Sequence, residues 1–501
     1  MKAAGAVIVG LAIAGSAWSQ QVTTFREPEL ATTLHEVRIN GTVLRYTARI
    51  GLLPIRNNET GDVHGRFGFV WYAREMPPGA PPRPVIFLWN GGPGANSTTL
   101  QFTGFGPRRL RSADDPAHPG PVTPGLYDND ATWLTFADLV FVDPPGTGYA
   151  RPAKPEHAAE FYSTLGDIAS TAEFIRSFLV RFDLQRAPVF LAGESYGAWR
   201  AAGAAEALEQ RGLRVAGVIL ISGGLGMGQV APDAIRTALF VPARTAAAFY
   251  HRTLAPDLQQ DEQATLDSAR QWALDVYAPA WVRRDSLSGA ERDRLVAGLA
   301  RYTGVAPASI DGEKLRMTSP QFTATLLKDK GERLDRYDMR VVHDTGVVSA
   351  TSDKESVEGQ IMLRYFQDDL GFKTDLSYRG IETGWSPSPG NEDEQGPGAM
   401  WDWNQGDTTH LAVGSGDGPP GGSQPWMLRA MAADPALRLY VAAGKYDSLN
   451  SCADNAWGIA HIDPHIAQRV SLGCYAAGHM MYDTRGPRLQ LYHDIAAFVT
   501  K

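Results

Sequence analysis

The sequence predicts an α/β fold, a mostly parallel central sheet with helices on both faces and a helical insertion acting as a cap. Three observations carry that expectation. Short, unbroken apolar runs (Val85 to Trp89, Leu139 to Val142, Val189 to Ala192, Val215 to Ile221) read as strands buried on both faces, as in a parallel sheet covered by helices. Helical periodicity fills the gaps between them, in the order strand, helix, strand, helix. The strand signal then stops after Gly228 and returns at Leu437 to Ala443 and Arg469 to Cys474.

Taken in order, residues 1–19 begin MKAAGAVIVG, with one Lys before an uncharged apolar stretch, and end on Ala17-Trp18-Ser19, a small-x-small pattern. That is an expected signal peptide, too short for a membrane span, and it implies an exported protein, periplasmic or secreted. Alternating residues from Leu30 to Arg74 predict antiparallel strands turned at Asn40-Gly41 and Gly61, and the proline-rich Pro77 to Pro84 is a surface connection.

Ile168, Ala172, Ile175, Phe178 and Leu179 repeat at helical spacing, and Ala198 to Gln210 predicts a helix stopped near Gly212. Residues 229 to about 380 are largely helical by pattern, most clearly Thr265 to Tyr277 and Gly289 to Tyr302. Ser386 to Gly398 and Gly414 to Pro425 are low-complexity loops, and a last helix covers Arg488 to Val499. The expected division is therefore 1–19 signal, 20–228 first part of the sheet domain, 229–430 helical cap with loops, and 431–501 second part of the sheet domain. No internal repeat is present.

Composition is that of a globular protein: 501 residues, 44% hydrophobic and 20% charged, with a net charge of -8. An acidic balance with no basic patch argues against a nucleic-acid partner. The chain has two cysteines, Cys452 and Cys474. In an oxidising compartment two cysteines are expected to pair.

Chemistry concentrates at Gly193 to Gly197, GESYG. A G-x-S-x-G after a buried strand and before a helix is the pattern of a nucleophile held on a sharp turn. A serine nucleophile needs a base, and the base an orienting carboxylate, in the chain order Ser, Asp, His. Asp447 follows the strand LRLYVAA, and His479 follows RVSLGC with a glycine before it. Asp454 and Asp463 compete for the acid's place.

The glycine-rich loop FLWNGGPGANS after Val85 to Trp89 stands where such a fold places backbone donors for an oxyanion. It lacks the Lys-Ser/Thr ending of a phosphate loop, and GLGMG from Gly224 is too irregular for a dinucleotide fingerprint. No metal, nucleotide or organic cofactor is implied.

Together WNGGPG (Trp89 to Gly94), VFVDPPGTGYARP (Val140 to Pro152), GESYG, GKYD and AGHM resemble the serine carboxypeptidase family of α/β-hydrolases, with the bacterial members sharing a GPRR like Gly106 to Arg109. The resemblance implies Ser195 as nucleophile, His479 as general base and Asp447 as its partner. It implies an oxyanion hole from the N–H groups of Gly92 and Tyr196. Asn90, Gly91 and Glu194 would then hold the free C-terminal carboxylate of a peptide substrate, with an acidic optimum because one of two facing carboxyls must be protonated.

Four positions depart from the family pattern. Gly104 stands where a second Glu is usual, Ala95 where a Cys follows NGGPG, Leu88 where a Trp precedes, and Tyr482 where a Pro follows GHM-x. Arg108 or Arg109 is an alternative partner for the carboxylate.

The expected function is a serine-type carboxypeptidase. An esterase or acyltransferase with the same triad is the alternative, and a silent binding protein on this fold is disfavoured by the intact Ser, Asp and His.

Overall fold

The computed structural model describes residues 28–501 apart from 112–114, 116, 118–122, 224–227, 229, 347–356, 383–396 and 407–422. The expected signal peptide, residues 224–227 of the GLGMG stretch and most of the two low-complexity loops lie outside the described residues.

One sheet organises the molecule. Its strands are β1 (Ala31–Ile39), β2 (Thr42–Arg56), β3 (Val63–Arg74), β4 (Val85–Trp89), β5 (Asp138–Asp143), β6 (Val189–Glu194), β7 (Gly217–Ile221), β8 (Arg438–Gly444) and β9 (Val470–Tyr475). They lie in the order β1-β2-β3-β5-β4-β6-β7-β8-β9, with the short strand Arg151–Pro152 beside β3. The first three strands and the β3–β5 pair are antiparallel, and every pair from β5 to β9 is parallel. Asn40 and Gly41 both take positive φ, 48° and 81°, which matches the twist of the β1–β2 hairpin.

The unbroken apolar runs are buried on both faces, as expected. In β4, Val85, Phe87 and Trp89 join one hydrophobic cluster, while Ile86 and Leu88 join the other. Helices α1 (Thr164–Arg181) and α2 (Tyr196–Gln210) cover the first face. Ile168, Ala172, Ile175 and Phe178 point inward from α1, which Ser163 caps by accepting from Gly166 N–H. The alanine-rich face of α2 (Ala198, Ala201, Ala202, Ala205) lets that helix sit close to the sheet. The C-terminal helix α3 (Arg485–Thr500) covers the second face with Leu491, Ile495 and Phe498.

The described residues of the span 229–430 join more than one hydrophobic cluster. Residues between Ala234 and Met339 form their own cluster. Leu363, Tyr365, Phe366, Phe372 and Tyr378 instead join the second face of the sheet, and Trp426, Met427 and Met431 the first. Helical periodicity marks an inward face without saying which body that face meets. The region also contains a small antiparallel pair, Glu332–Leu334 with Val342–Asp344. Among the described residues, no helix is long and apolar enough to cross a membrane.

Candidate active site

The GESYG turn is imposed by contact as well as by strain. Ser195 sits between β6 and α2 at φ 57° and ψ -127°, and its N–H donates to Ile221 O at 2.9 Å. A Cβ on Gly193 would lie 1.9 Å from Gly197 O, and one on Gly197 2.8 Å from Trp89 O. Ser195 is part-exposed at the tip of this turn.

The NGGPG loop presses on the same turn. A Cβ on Gly91 would meet Tyr196 N at 2.5 Å, so only glycine fits. Trp89 Nε1 donates to Gly197 O at 2.9 Å, locking strand end to helix start. The N–H of Tyr196, first residue of α2, has no intrahelical acceptor, and the Gly92 N–H meets no backbone acceptor among the described residues. Tyr196 follows Ser195 directly and Gly92 belongs to the loop pressed on the same turn, so these two N–H groups are the candidates for an oxyanion hole.

Asp447 lies just past β8 and is fully buried. Its Oδ2 accepts from His479 Nδ1 at 2.7 Å and from Asn450 Nδ2 at 3.1 Å, and Oδ1 accepts from Leu449 N–H at 2.8 Å. The His479 backbone is held as firmly: its N–H donates to Tyr337 O at 2.6 Å, and its O accepts from Ser222 Oγ at 2.6 Å. Nε2 is sealed from solvent with no hydrogen-bond partner and lies 3.4 Å from Glu194 Oε1. Burial alone would lower the imidazole pKa, but the charge and hydrogen bond of Asp447, with Glu194 behind them, raise it above its ordinary value.

Of the competing acids, Asp463 caps the helix Pro464–Ala467, and Asp454 lies in the helix Cys452–Ala460 with its charge toward Arg236. Neither bonds to His479.

Asn90 and Glu194 meet at the bottom of the site. Asn90 Nδ2 donates to Glu194 Oε2, and Asn90 Oδ1 accepts from Leu100 N–H at 3.1 Å. Burial raises the Glu194 carboxyl pKa against the pull of His479 and Asn90. Arg108 is spent on Asp128 and Leu126 O in a surface hairpin, whereas Arg109 is buried and donates to Thr103 O at 3.0 Å.

Cys452 and Cys474 form a disulfide with a Cα–Cα distance of 5.8 Å. It joins the start of the helix after the acid loop to β9, which leads to His479.

Several positioning residues escaped the sequence reading. Arg200, 1% exposed, grips both Asp167 oxygens at 2.8 and 3.0 Å and donates to Asn90 O at 2.9 Å, tying α1 and α2 to the NGGPG loop. Asn450 links Asp447 to Ser222 O at 2.7 Å. The Asn450 position, three residues past the acid, was the one local signal available.

Among the described residues, His64, His157 and Glu160 place three metal-ligand-type atoms within 4.8 Å of one another. His64 Nδ1 is already bonded to Glu160 at 2.8 Å, and no member bonds to the Ser195 site.

Residues 53–211 match the family model described as serine carboxypeptidase. The chain is 31% identical over 172 residues to a carboxypeptidase Y homolog of Arthroderma benhamiae, covering 33% of this chain and 31% of the relative. It is 35% identical over 117 residues to a pheromone-processing carboxypeptidase KEX1 of Cryptococcus gattii, 22% of this chain and 16% of the relative. The chain thus spans a third or less of the length of these curated relatives, and Asp447 and His479 lie beyond the family match. A solved structure of a prohormone-processing carboxypeptidase from Saccharomyces cerevisiae superposes with a TM-score of 0.52 over 91% of both chains at 14% identity, a likeness of fold. Residues 53–211 are thus similar to serine carboxypeptidases, and the chain shares the α/β-hydrolase fold of the yeast structure.

Proposed function

We propose that this protein is a serine-type carboxypeptidase that releases C-terminal residues from peptides through an acyl-enzyme. The observation that carries the reading is the buried His479–Asp447 bond of 2.7 Å, with Nε2 left unpaired beside the Ser195 turn. Ser195 Oγ attacks the scissile carbonyl, and its proton passes to His479 Nε2. Asp447 fixes the tautomer and balances the imidazolium. The Gly92 and Tyr196 N–H groups receive the oxyanion. His479 then protonates the leaving amine, and water, deprotonated by the same ring, frees Ser195.

Asn90, Gly91 and Glu194 are the proposed holders of the substrate's terminal carboxylate. A neutral Glu194 accepts such a neighbour without repulsion, and burial favours that neutral form. The residues between Ala234 and Met339 form the proposed cap, reaching the site through Tyr337 O. An exported location is supported by the disulfide, since such bonds persist in oxidising compartments.

The test is Ser195→Ala together with a fluorophosphonate label. The wild type should gain one adduct on Ser195, and the variant should fold, take no label and turn over no peptide. Peptidase activity persisting in a folded variant would end the proposal. Ester hydrolysis with no attack on peptides would favour an esterase or acyltransferase.

A further inference from the structure

Two of the departures from the family pattern, 378 positions apart in sequence, touch one another. Gly104 has no side chain, and a Cβ built there lies 3.7 Å from the Tyr482 ring, an ordinary contact distance. Tyr482 packs edge-on to Phe105 at 5.4 Å and is fully buried. Where a carboxylate side chain is usual, this chain has a gap in one segment and a phenol from another lying against it.

That phenol is short of a partner. Tyr482 Oη is shut from solvent, and its own hydrogen has no acceptor in the structure, a costly state for a hydroxyl. Its oxygen is met by the Asn90 side-chain amide, and the charges of Glu194 and Asp483 lie near. Burial, then those two charges, push its pKa well above 10, so it stays a neutral O–H donor at any working pH. The same short segment holds two more unpaired buried atoms, His479 Nε2 and Asp483 Oδ1. A buried O–H near Asn90 and Glu194 with no acceptor of its own is free to donate to an oxygen that a ligand brings.

We infer that Tyr482 is a specificity-determining residue, its phenol O–H donating to the substrate's terminal carboxylate alongside Asn90 and Glu194. The inference rests on the carboxypeptidase reading and deepens it. Tyr482 interacts directly with Asn90 and feels the Glu194 charge, so a carboxylate held by that pair lies near the phenol. A phenol needs no proton uptake to donate, so recognition depends on the protonation of Glu194 alone rather than of two acids. Carboxylate binding therefore survives to higher pH than it would with two facing acids.

Tyr482→Phe removes the O–H and keeps the ring against Gly104 and Phe105. The ratio of kcat/KM for a free-acid peptide to that for p-nitrophenyl acetate, which has no carboxylate, should fall about ten- to hundredfold, mainly through KM. The Tm should stay equal or rise, because an unpaired buried hydroxyl is removed. A ratio that does not change, while the wild type still trims the free acid, overturns the role of Tyr482 and leaves the carboxypeptidase reading intact. A ratio that falls together with Tm makes Tyr482 a packing residue and also overturns it. No trimming by the wild type removes both readings at once.

Discussion

His479 Nε2 and Glu194 Oε1 lie 3.4 Å apart, both shut from solvent, so the proposed base and the proposed carboxylate-binding acid are electrostatically one unit. His479 acts as a base only when neutral. Its pKa is held above 6.5, against burial, by Asp447 first and then by Glu194, so kcat/KM should fall as pH drops through a value above 6.5. Glu194→Gln removes a group whose ionised form raises that pKa, so on a substrate without a carboxylate the acid limb should move to lower pH. A pH–rate profile on an uncharged ester isolates this effect from carboxylate binding. A limb that stays in place or moves to higher pH would show that the two groups are not coupled.

Asp447→Asn keeps the shape of the acid loop but presents an amide to His479 Nδ1, favouring the wrong tautomer. The expected loss in kcat is about four orders of magnitude with Tm little changed. Asn450→Ala removes one donor from the buried Asp447 carboxylate and should cost about tenfold in kcat. Equal activity in both variants would remove Asp447 from the mechanism.

The Cys452–Cys474 bridge closes a loop of 22 residues in sequence separation. Replacing both cysteines by serine should lower stability by about 3 kcal/mol in the chain-entropy model, read as a shifted urea midpoint. An unshifted midpoint would mean that the bridge constrains nothing in the unfolded chain.

Asp454 offers a test of burial by pH. Its carboxyl is pushed up to about 6 chiefly by burial, with Arg236 opposing. Between an unfolded value near 3.8 and that folded value the native state binds more protons, so stability falls as pH rises through this window and levels off above it. Asp454→Asn removes the slope. Its stability relative to wild type should therefore improve by up to about 3 kcal/mol from pH 3.5 to pH 7, measured by denaturant unfolding at each pH. A difference that is constant with pH would contradict the assignment.

Much of this molecule was legible because each signal was local. Val85 to Trp89 is a run with no polar residue, and burial on both faces is its only stable fate. GESYG is a turn in which the two glycines are required by contacts within a few residues and with the adjacent strand. Asp447 and His479 followed from chain order once the strands before them were recognised. What stayed hidden depends on pairs far apart in sequence. Arg200 is one arginine among many until Asp167 and the Asn90 carbonyl surround it. Leu363 and Phe366 stand at helical spacing, and nothing local says that they pack on the sheet rather than with residues 234–339. Gly104 and Tyr482 were each visible as departures, but their contact was not.

The most direct measurement is mass spectrometry of a peptide and its C-terminally amidated twin, each incubated with the wild type and with folded Ser195→Ala. Stepwise loss of single residues from the free acid, by the wild type only, is the expected result. Equal trimming of the amidated twin, or trimming of the free acid by Ser195→Ala, would contradict it.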